Sequence, residues 1–272
     1  MTTHINLIQE AWQDRSLLQQ KAVRAAIEAV IQALDQGQQR VAVPSEAGWQ
    51  VNEWAKQAVV LYFLIRDMEV QEAGPLSFHD KIPLKKNFKQ LGVRVVPPAV
   101  ARYGAFLQQG VILMASYVNL GTYIDAGTMI DIGAAVGSCA QIGKRGHISA
   151  GVTIGGVLEP VQAAPVIIED DVFIGARCSI VEGVHVKQGA VIGANVTLTA
   201  STKIIDVTQA DAPKEYRGHV PTRAVVIPGT YPKQFPAGQY QVPCALIIGK
   251  RHAGTDSKVA LNTALRDYNI SV

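Results

Sequence analysis

The stretch Tyr117-Val118-Asn119-Leu120-Gly121-Thr122-Tyr123-Ile124-Asp125-Ala126-Gly127-Thr128-Met129-Ile130-Asp131 sets a branched aliphatic at every sixth position: Val118, Ile124 and Ile130. The metre spans residues 112–204. It reads Ile112, Val118, Ile124, Ile130, Val136, Ile142, Ile148 and Ile154, then, after a break, Ile168, Ile174, Ile180, Val186, Ile192, Leu198 and Ile204. Four residues behind the beat comes a second series of mostly small or β-branched residues: Thr122, Thr128, Ala134, Ala140, Gly146 and Val152, then Val172, Cys178, Val184, Ala190, Val196 and Thr202. Six is even, so positions i and i+4 of an extended segment face the same side, whereas a helix would scatter them around its axis. A hexapeptide repeat marks a parallel β-helix, in which no unit buries its apolar face until the next stacks on it. Three units predict one triangular coil, with the large aliphatic inside, the small residue beside it, and glycine easing the corners.

Outward from the metre, the ends read differently. Residues 1–36 predict helix, since Val23, Ile27, Val30, Ile31 and Leu34 form one apolar stripe closed by Gly37. A short strand is expected at residues 49–51, and a second helix on Trp54, Ala58, Leu61, Tyr62 and Ile65, ending before Gly74-Pro75. The run from Val93 to Pro98 predicts an extended lead-in to the coil, with prolines where no ladder N–H is needed. The fourteen residues from Ile154 to Ile168 scan as two units plus two extra and predict an external loop at 155–166, a candidate wall of a site. After Ile204 the register is lost, and six prolines between Pro213 and Pro243 predict turns and short strands over the coil end, followed by a helix near Thr255-Asp256. The expected division is therefore 1–99 α-rich, 100–204 coil, and 205–272 cap.

Composition excludes several classes. A net charge of +3 without a Lys/Arg run argues against a nucleic-acid partner. No apolar run reaches the ~20 residues of a membrane span, and the polar opening segment does not suit a secretion signal. Three scattered cysteines fit a reduced, cytoplasmic setting, and Cys178, on the small inward register, reads as a core thiol.

No nucleophile elbow, phosphate loop or H-E-x-x-H motif occurs. The six histidines never sit at ligand spacing, so no metal is expected; His147 alone is a candidate general base. Asp125 and Asp131 each follow a beat residue and so point outward, on adjoining sides of the coil. Asp125 reads as a corner residue bonded to backbone. Asp131 reads equally as that or as a carboxylate that takes up or orients an amine proton.

The blocks Arg94-Val95-Val96-Pro97-Pro98, Ser116-Tyr117-Val118-Asn119, Gly127-Thr128-Met129-Ile130-Asp131 and Val136-Gly137-Ser138-Cys139-Ala140-Gln141-Ile142-Gly143 stand together here. With Gly155-Gly156-Val157-Leu158-Glu159-Pro160, Phe173-Ile174-Gly175-Ala176-Arg177 and Ser201-Thr202-Lys203-Ile204 they resemble the tetrahydrodipicolinate N-succinyltransferase family over essentially the whole chain. The resemblance implies a mainly β fold: a left-handed parallel β-helix with an α-helical N-terminal domain and a small C-terminal cap, assembled as a homotrimer with sites between subunits. It implies transfer from succinyl-CoA to the amino group of L-2-amino-6-oxopimelate in lysine and diaminopimelate biosynthesis. Arg94 corresponds to a substrate-carboxylate ligand and Asp131 to the acid beside the attacking amine, with Arg177 and Ser179 as further substrate contacts. Many members carry a glutamate where this chain has Ser179; Glu182 is the nearest acid that follows. Lys203, Lys250 and Arg251 are the candidates for the phosphates of CoA. Rival readings are an acetyl-transferring relative, a non-catalytic β-helix scaffold, and a zinc hydratase on the same coil.

Overall fold

In the computed structural model, residues 2–46, 48–210 and 213–251 are described. The hexapeptide metre becomes three flat faces of two-residue strands. The first face stacks Arg94–Val95, Ile112–Leu113, Met129–Ile130, His147–Ile148, Phe173–Ile174 and Val191–Ile192. The second stacks Val100–Ala101, Tyr117–Val118, Ala135–Val136, Thr153–Ile154, Ser179–Ile180 and Thr197–Leu198. The third stacks Phe106–Leu107, Tyr123–Ile124, Gln141–Ile142, Ile167–Ile168, His185–Val186 and His219–Val220. Every rung pairs in parallel, so like sits on like: Ile124 on Ile142 on Ile168, and Ile130 on Ile148 on Ile174. The second residue of each pair is the inward one, and from Val118 to Leu198 these aliphatics are all buried.

The phase differs from expectation at four places. Leu113, not Ile112, is the inward residue opposite Ile130, so the step to Val118 is five residues. The coil starts earlier than the metre suggested, because Val95, Ala101 and Leu107 already occupy inward positions, with Arg94–Val95 as first rung. Ile154 and Ile168 close consecutive rungs, so the excursion is one unit with eight extra residues rather than two units with two. Beyond Ile204 the beat returns at Val220 and Val226, which pair with Val186 and Ile192. The proline-rich tail begins with the expected short strands, Lys214–Tyr216 and His219–Val220, but its later part differs. From Ala224 on, the tail is one long hairpin, Ala224–Phe235 against Gly238–Lys250, with Pro228, Pro232 and Pro243 within the ribbon. The helix expected near Thr255 lies outside the described residues.

Corners turn through left-handed backbone, and several carry charged side chains where glycine would be the easy choice: Arg145 at φ 54°, Asp171 at 61°, Arg177 at 59°. Side chains at these positions stack along the coil edges.

The N-terminal region is three helices: α1 (Thr2–Gln13), α2 (Lys21–Asp35) and α3 (Glu53–Ile65). The single helix expected over residues 1–36 breaks at Asp14, whose carboxylate accepts from Ser16 N at 2.9 Å and starts a 3-10 turn, Arg15–Gln19. Helix α3 ends at Ile65, and Gly74-Pro75 turns a hairpin, Glu69–Ala73 with Leu76–Asp80. The helices share a core with Leu120 and Cys139, which belong to the coil edge between its second and third faces. Lys56 of α3 is fully buried there, and its ammonium donates to the carbonyls of Pro160 and Ala163 at 3.2 and 2.7 Å. The external loop is thus held by the helical region.

Candidate active site

Asp131 follows the first-face strand Met129–Ile130. Its Oδ1 accepts from Ile132 N at 2.7 Å, the same corner bond that Asp125 makes with Ala126 N at 2.7 Å. The backbone reading therefore holds for one oxygen of each. The other oxygen of Asp131, Oδ2, stands 3.8 Å from His147 Nε2, one rung up the same face. The His147 ring stacks on Phe173, with centroids 5.1 Å apart, so imidazole and carboxylate share one apolar-floored surface. Arg94 lies on that face too. It is exposed and two rungs below Met129, which sets it about 10 Å down the face.

Arg177 sits on the edge between the first and second faces, above Gly151, where a Cβ would lie 3.6 Å from the Arg177 Cγ. That edge is also where Asp131 leads, so Arg94, Asp131, His147 and Arg177 occupy one face and its border. Ser179 is outside this group: it faces outward on the second face between Thr153 and Thr197. Glu182 turns the edge between second and third faces, with Oε2 accepting from Ala200 N at 3.1 Å. Within one chain the structure does not bring Glu182 to Asp131.

The three cations marked for phosphate recognition do not converge. Lys203 is paired with Glu215 at 2.9 Å and lies 4.7 Å over the Tyr231 ring. Lys250 is at the end of the hairpin and lines a cleft of about 370 Å³ with Tyr216 and His219. Arg251 donates from Nη1 to the carbonyl of Asp171 at 2.7 Å, and its own carbonyl accepts from Arg223 Nε at 2.9 Å. Arg145 joins that edge through a bidentate pair with Asp171 at 2.6 and 2.8 Å. Arg145 and Arg223 were missed in the sequence. Their common signal is their place in the corner register, one above the other with Asp171 and Gly189 between.

Burial pushes the Cys178 thiol up to about 11, and its sulfur contacts the Gly193 carbonyl at 3.0 Å, as a core thiol should. Glu169 is pulled the other way, to about 2, by its bond to His185 first and then by Gln188 N and Trp49. Among the described residues no three His, Cys, Asp or Glu side chains are grouped to hold a metal ion, and no helix is long and apolar enough to cross a membrane.

A three-faced coil of stacked two-residue strands, repeating every six residues, defines the class: a hexapeptide-repeat β-helix, here with a carboxylate, an imidazole and arginines along one face and its border. Comparison with known proteins names the family. Residues 4–65 match the tetrahydrodipicolinate N-succinyltransferase N-terminal family, and residues 165–200 match the hexapeptide repeat of succinyl-transferase. The 2,3,4,5-tetrahydropyridine-2,6-dicarboxylate N-succinyltransferase of Variovorax paradoxus is 47% identical over 96% of this chain and 98% of its own. That of Ralstonia nicotianae is 49% identical over 96% and 97%. A crystal structure from Campylobacter jejuni, assigned as a 2,3,4,5-tetrahydropyridine-2-carboxylate N-succinyltransferase, superposes with a TM-score of 0.53 at 16% identity. It covers 81% of this chain and 62% of that one, and it supports the fold alone. The chain belongs to the tetrahydrodipicolinate N-succinyltransferase family, a family of acyltransferases.

Proposed function

We propose that this chain transfers the succinyl group of succinyl-CoA to the amino group of L-2-amino-6-oxopimelate, the opened form of tetrahydrodipicolinate. The observation that carries the reading is Asp131 Oδ2, which keeps its second oxygen clear of backbone on the same wall as Arg94. The acceptor is a dicarboxylate bearing one amine. An arginine fork suits its carboxylate, and Asp131 with His147 receives the proton that the ammonium must shed before it attacks. The amine nitrogen then forms its bond to the thioester carbonyl carbon, the C–S bond breaks, and coenzyme A leaves as the thiolate, which takes a proton. Holding amine and thioester side by side supplies much of the rate, and a backbone N–H facing the carbonyl oxygen supplies more.

The coil in this reading is left-handed, and three copies assemble with a site in each crevice between neighbours. Since one chain does not bring Glu182 to Asp131, a role for Glu182 as second acid requires that it come from a neighbouring copy. The helical region before the coil holds the external loop, the coil from Arg94 onward carries the wall, and the hairpin Ala224–Lys250 lies over its end. Lys250 and Arg251, adjacent at the end of that hairpin, address the phosphates of CoA in this reading, while Lys203 is already held by Glu215. The protein acts in the cytoplasm with small-molecule substrates. An acetyl-transferring relative is the second reading, resting on the Pro-rich segment 228–243 as a mark of a divergent branch; Ser179 at the position of the expected glutamate bears on the second acid instead. Thiol release with succinyl-CoA and with acetyl-CoA, using 2-aminopimelate as acceptor, tests the proposal. Faster turnover of acetyl-CoA, or full activity in Asp131→Asn, overturns it.

A further inference from the structure

The hairpin of residues 42–51 leans on the third face and encloses a cleft of about 360 Å³, with Trp49 and Pro44 on one side and the coil edge on the other. A glycine makes the cleft possible. In the register that follows each inward residue, Asp125 and Glu169 stand two rungs apart with Gly143 between them. A notch about 10 Å tall is left open. It stays open because a Cβ on Gly143 would lie 2.6 Å from Asp170 N.

Arg40 reaches into this notch. Its Nε donates to Gln141 Oε1 at 2.9 Å, and its guanidinium carbon sits 3.7 Å over the Tyr123 ring and 5.4 Å from that of Trp49. Gln141 is fully buried, and its Nε2 donates to the carbonyls of Cys139 and Ala140 at 2.9 and 3.3 Å. That fixes the amide with its oxygen toward Arg40. The guanidinium is held by one edge and one face, while its Nη groups make no hydrogen bond among the described residues. Burial draws its pKa below the usual guanidinium value, as expected of a cation that has lost water without a carboxylate in contact.

The carboxylates divide into two kinds. Glu169 is saturated by His185 Nε2 at 2.7 Å, Gln188 N at 2.8 Å and Trp49 Nε1 at 3.3 Å. Asp125 and Asp170 each give Oδ1 to a backbone N–H, that of Ala126 at 2.7 Å and that of Lys144 at 2.8 Å. Their Oδ2 atoms make no hydrogen bond among the described residues. The cleft thus offers a positioned fork of donors, a pair of anionic acceptors and an indole wall, in a volume within the range of small-molecule sites.

We infer that this cleft binds a free α-amino acid as its zwitterion. The carboxylate takes the Nη edge of Arg40, the ammonium takes the open oxygens of Asp125 and Asp170, and the side chain runs along Trp49. Neither half suffices alone: a plain anion meets the two aspartates, and a plain amine meets Arg40. The site is on the edge between third and first faces, away from the edge that Asp131 borders. It joins the 42–51 hairpin to the coil, so occupancy couples the two.

Titration calorimetry of the full chain with L-leucine, L-lysine and L-glutamate tests this, with N-acetyl-L-leucine as the probe that lacks an ammonium. The expected result is binding of at least one free amino acid, one per chain, at millimolar concentration or better, and none of the acetylated probe. Arg40→Gln and Asp125→Asn each weaken it at least tenfold, and Asp131→Asn binds as the unaltered chain does. If Arg40→Gln does not fold, Asp125→Asn and the acetylated probe still decide. Three results overturn the inference: no free amino acid binds, binding is unchanged in Asp125→Asn, or binding is lost in Asp131→Asn, which would place the ligand in the transfer site.

Discussion

Replacing Lys56 by Met isolates the contribution of one buried charge to the join between helices and coil. The side chain is fully buried, and its ammonium holds the Pro160 and Ala163 carbonyls at 3.2 and 2.7 Å. Methionine keeps the length and most of the apolar contact, so the change removes donors and charge while leaving the stem. Hydrogen bonds to a charged group contribute about 1.5–3 kcal/mol each, which puts the pair at roughly 4 kcal/mol. Against this stands the desolvation of the ammonium, whose pKa burial lowers, so part of that gain is offset. The expected net loss is about 2 kcal/mol, or a thirtyfold rise in the open population of the loop. Urea unfolding should show the lower midpoint, and limited proteolysis should cut within residues 155–165 about thirtyfold faster. Unchanged midpoint and cleavage would refute the reasoning and make Lys56 a filler, replaceable by an apolar residue as some buried ions are.

Other outcomes follow from the same geometry. Asp131→Asn should lower thiol release with succinyl-CoA by roughly 100- to 10,000-fold, with an unchanged far-ultraviolet spectrum; a change under threefold would remove Asp131 from the chemistry. Glu169 titrates near 2 in the fold against an ordinary 4.5. Its bonds to His185, Gln188 and Trp49 therefore add stability above about pH 4.5 that drains away as pH falls toward 2, on the order of 3 kcal/mol. Urea midpoints at pH 3 and pH 6 should differ less in Glu169→Gln than in the unaltered chain. Gly143→Ala puts a methyl 2.6 Å from Asp170 N, a backbone atom with nowhere to go. It should cost about 1–3 kcal/mol and lower the melting temperature; an unshifted melt would show that the coil edge yields.

The metre made the three-sided coil legible because each inward aliphatic is buried on the one above and below it, which leaves a residue pattern that no helix shares. Its phase was less legible. Ile112 and Leu113 are both aliphatic, and only pairing with Ile130 decides that Leu113 turns inward. The first rungs were hidden because Ala101 is too small to register as a beat, and the last because fifteen residues separate Ile204 from Val220. At the candidate site, Asp131 was legible as an outward carboxylate, whereas Arg94 was marked only by the resemblance to the family; that the two share one face comes from the strand pairing. The partners of Lys203 and Arg251 were not, since Glu215 and Asp171 come from other strands and corners. Arg40 was unreadable for the same reason: what singles it out is a glutamine a hundred residues away.

Met129 pairs with His147, eighteen residues on, and that interval decides which side chains can ever meet. Adding one hexad between Asp131 and His147 would keep aliphatics pointing inward and still swing all later walls by a third of a turn. His147 and Arg177 would then look out from a different side of the column than Asp131. Chain length within the column is therefore tightly held: one revolution is a residue short at Leu113, and the eight extra residues after Ile154 are accommodated by leaving the column altogether.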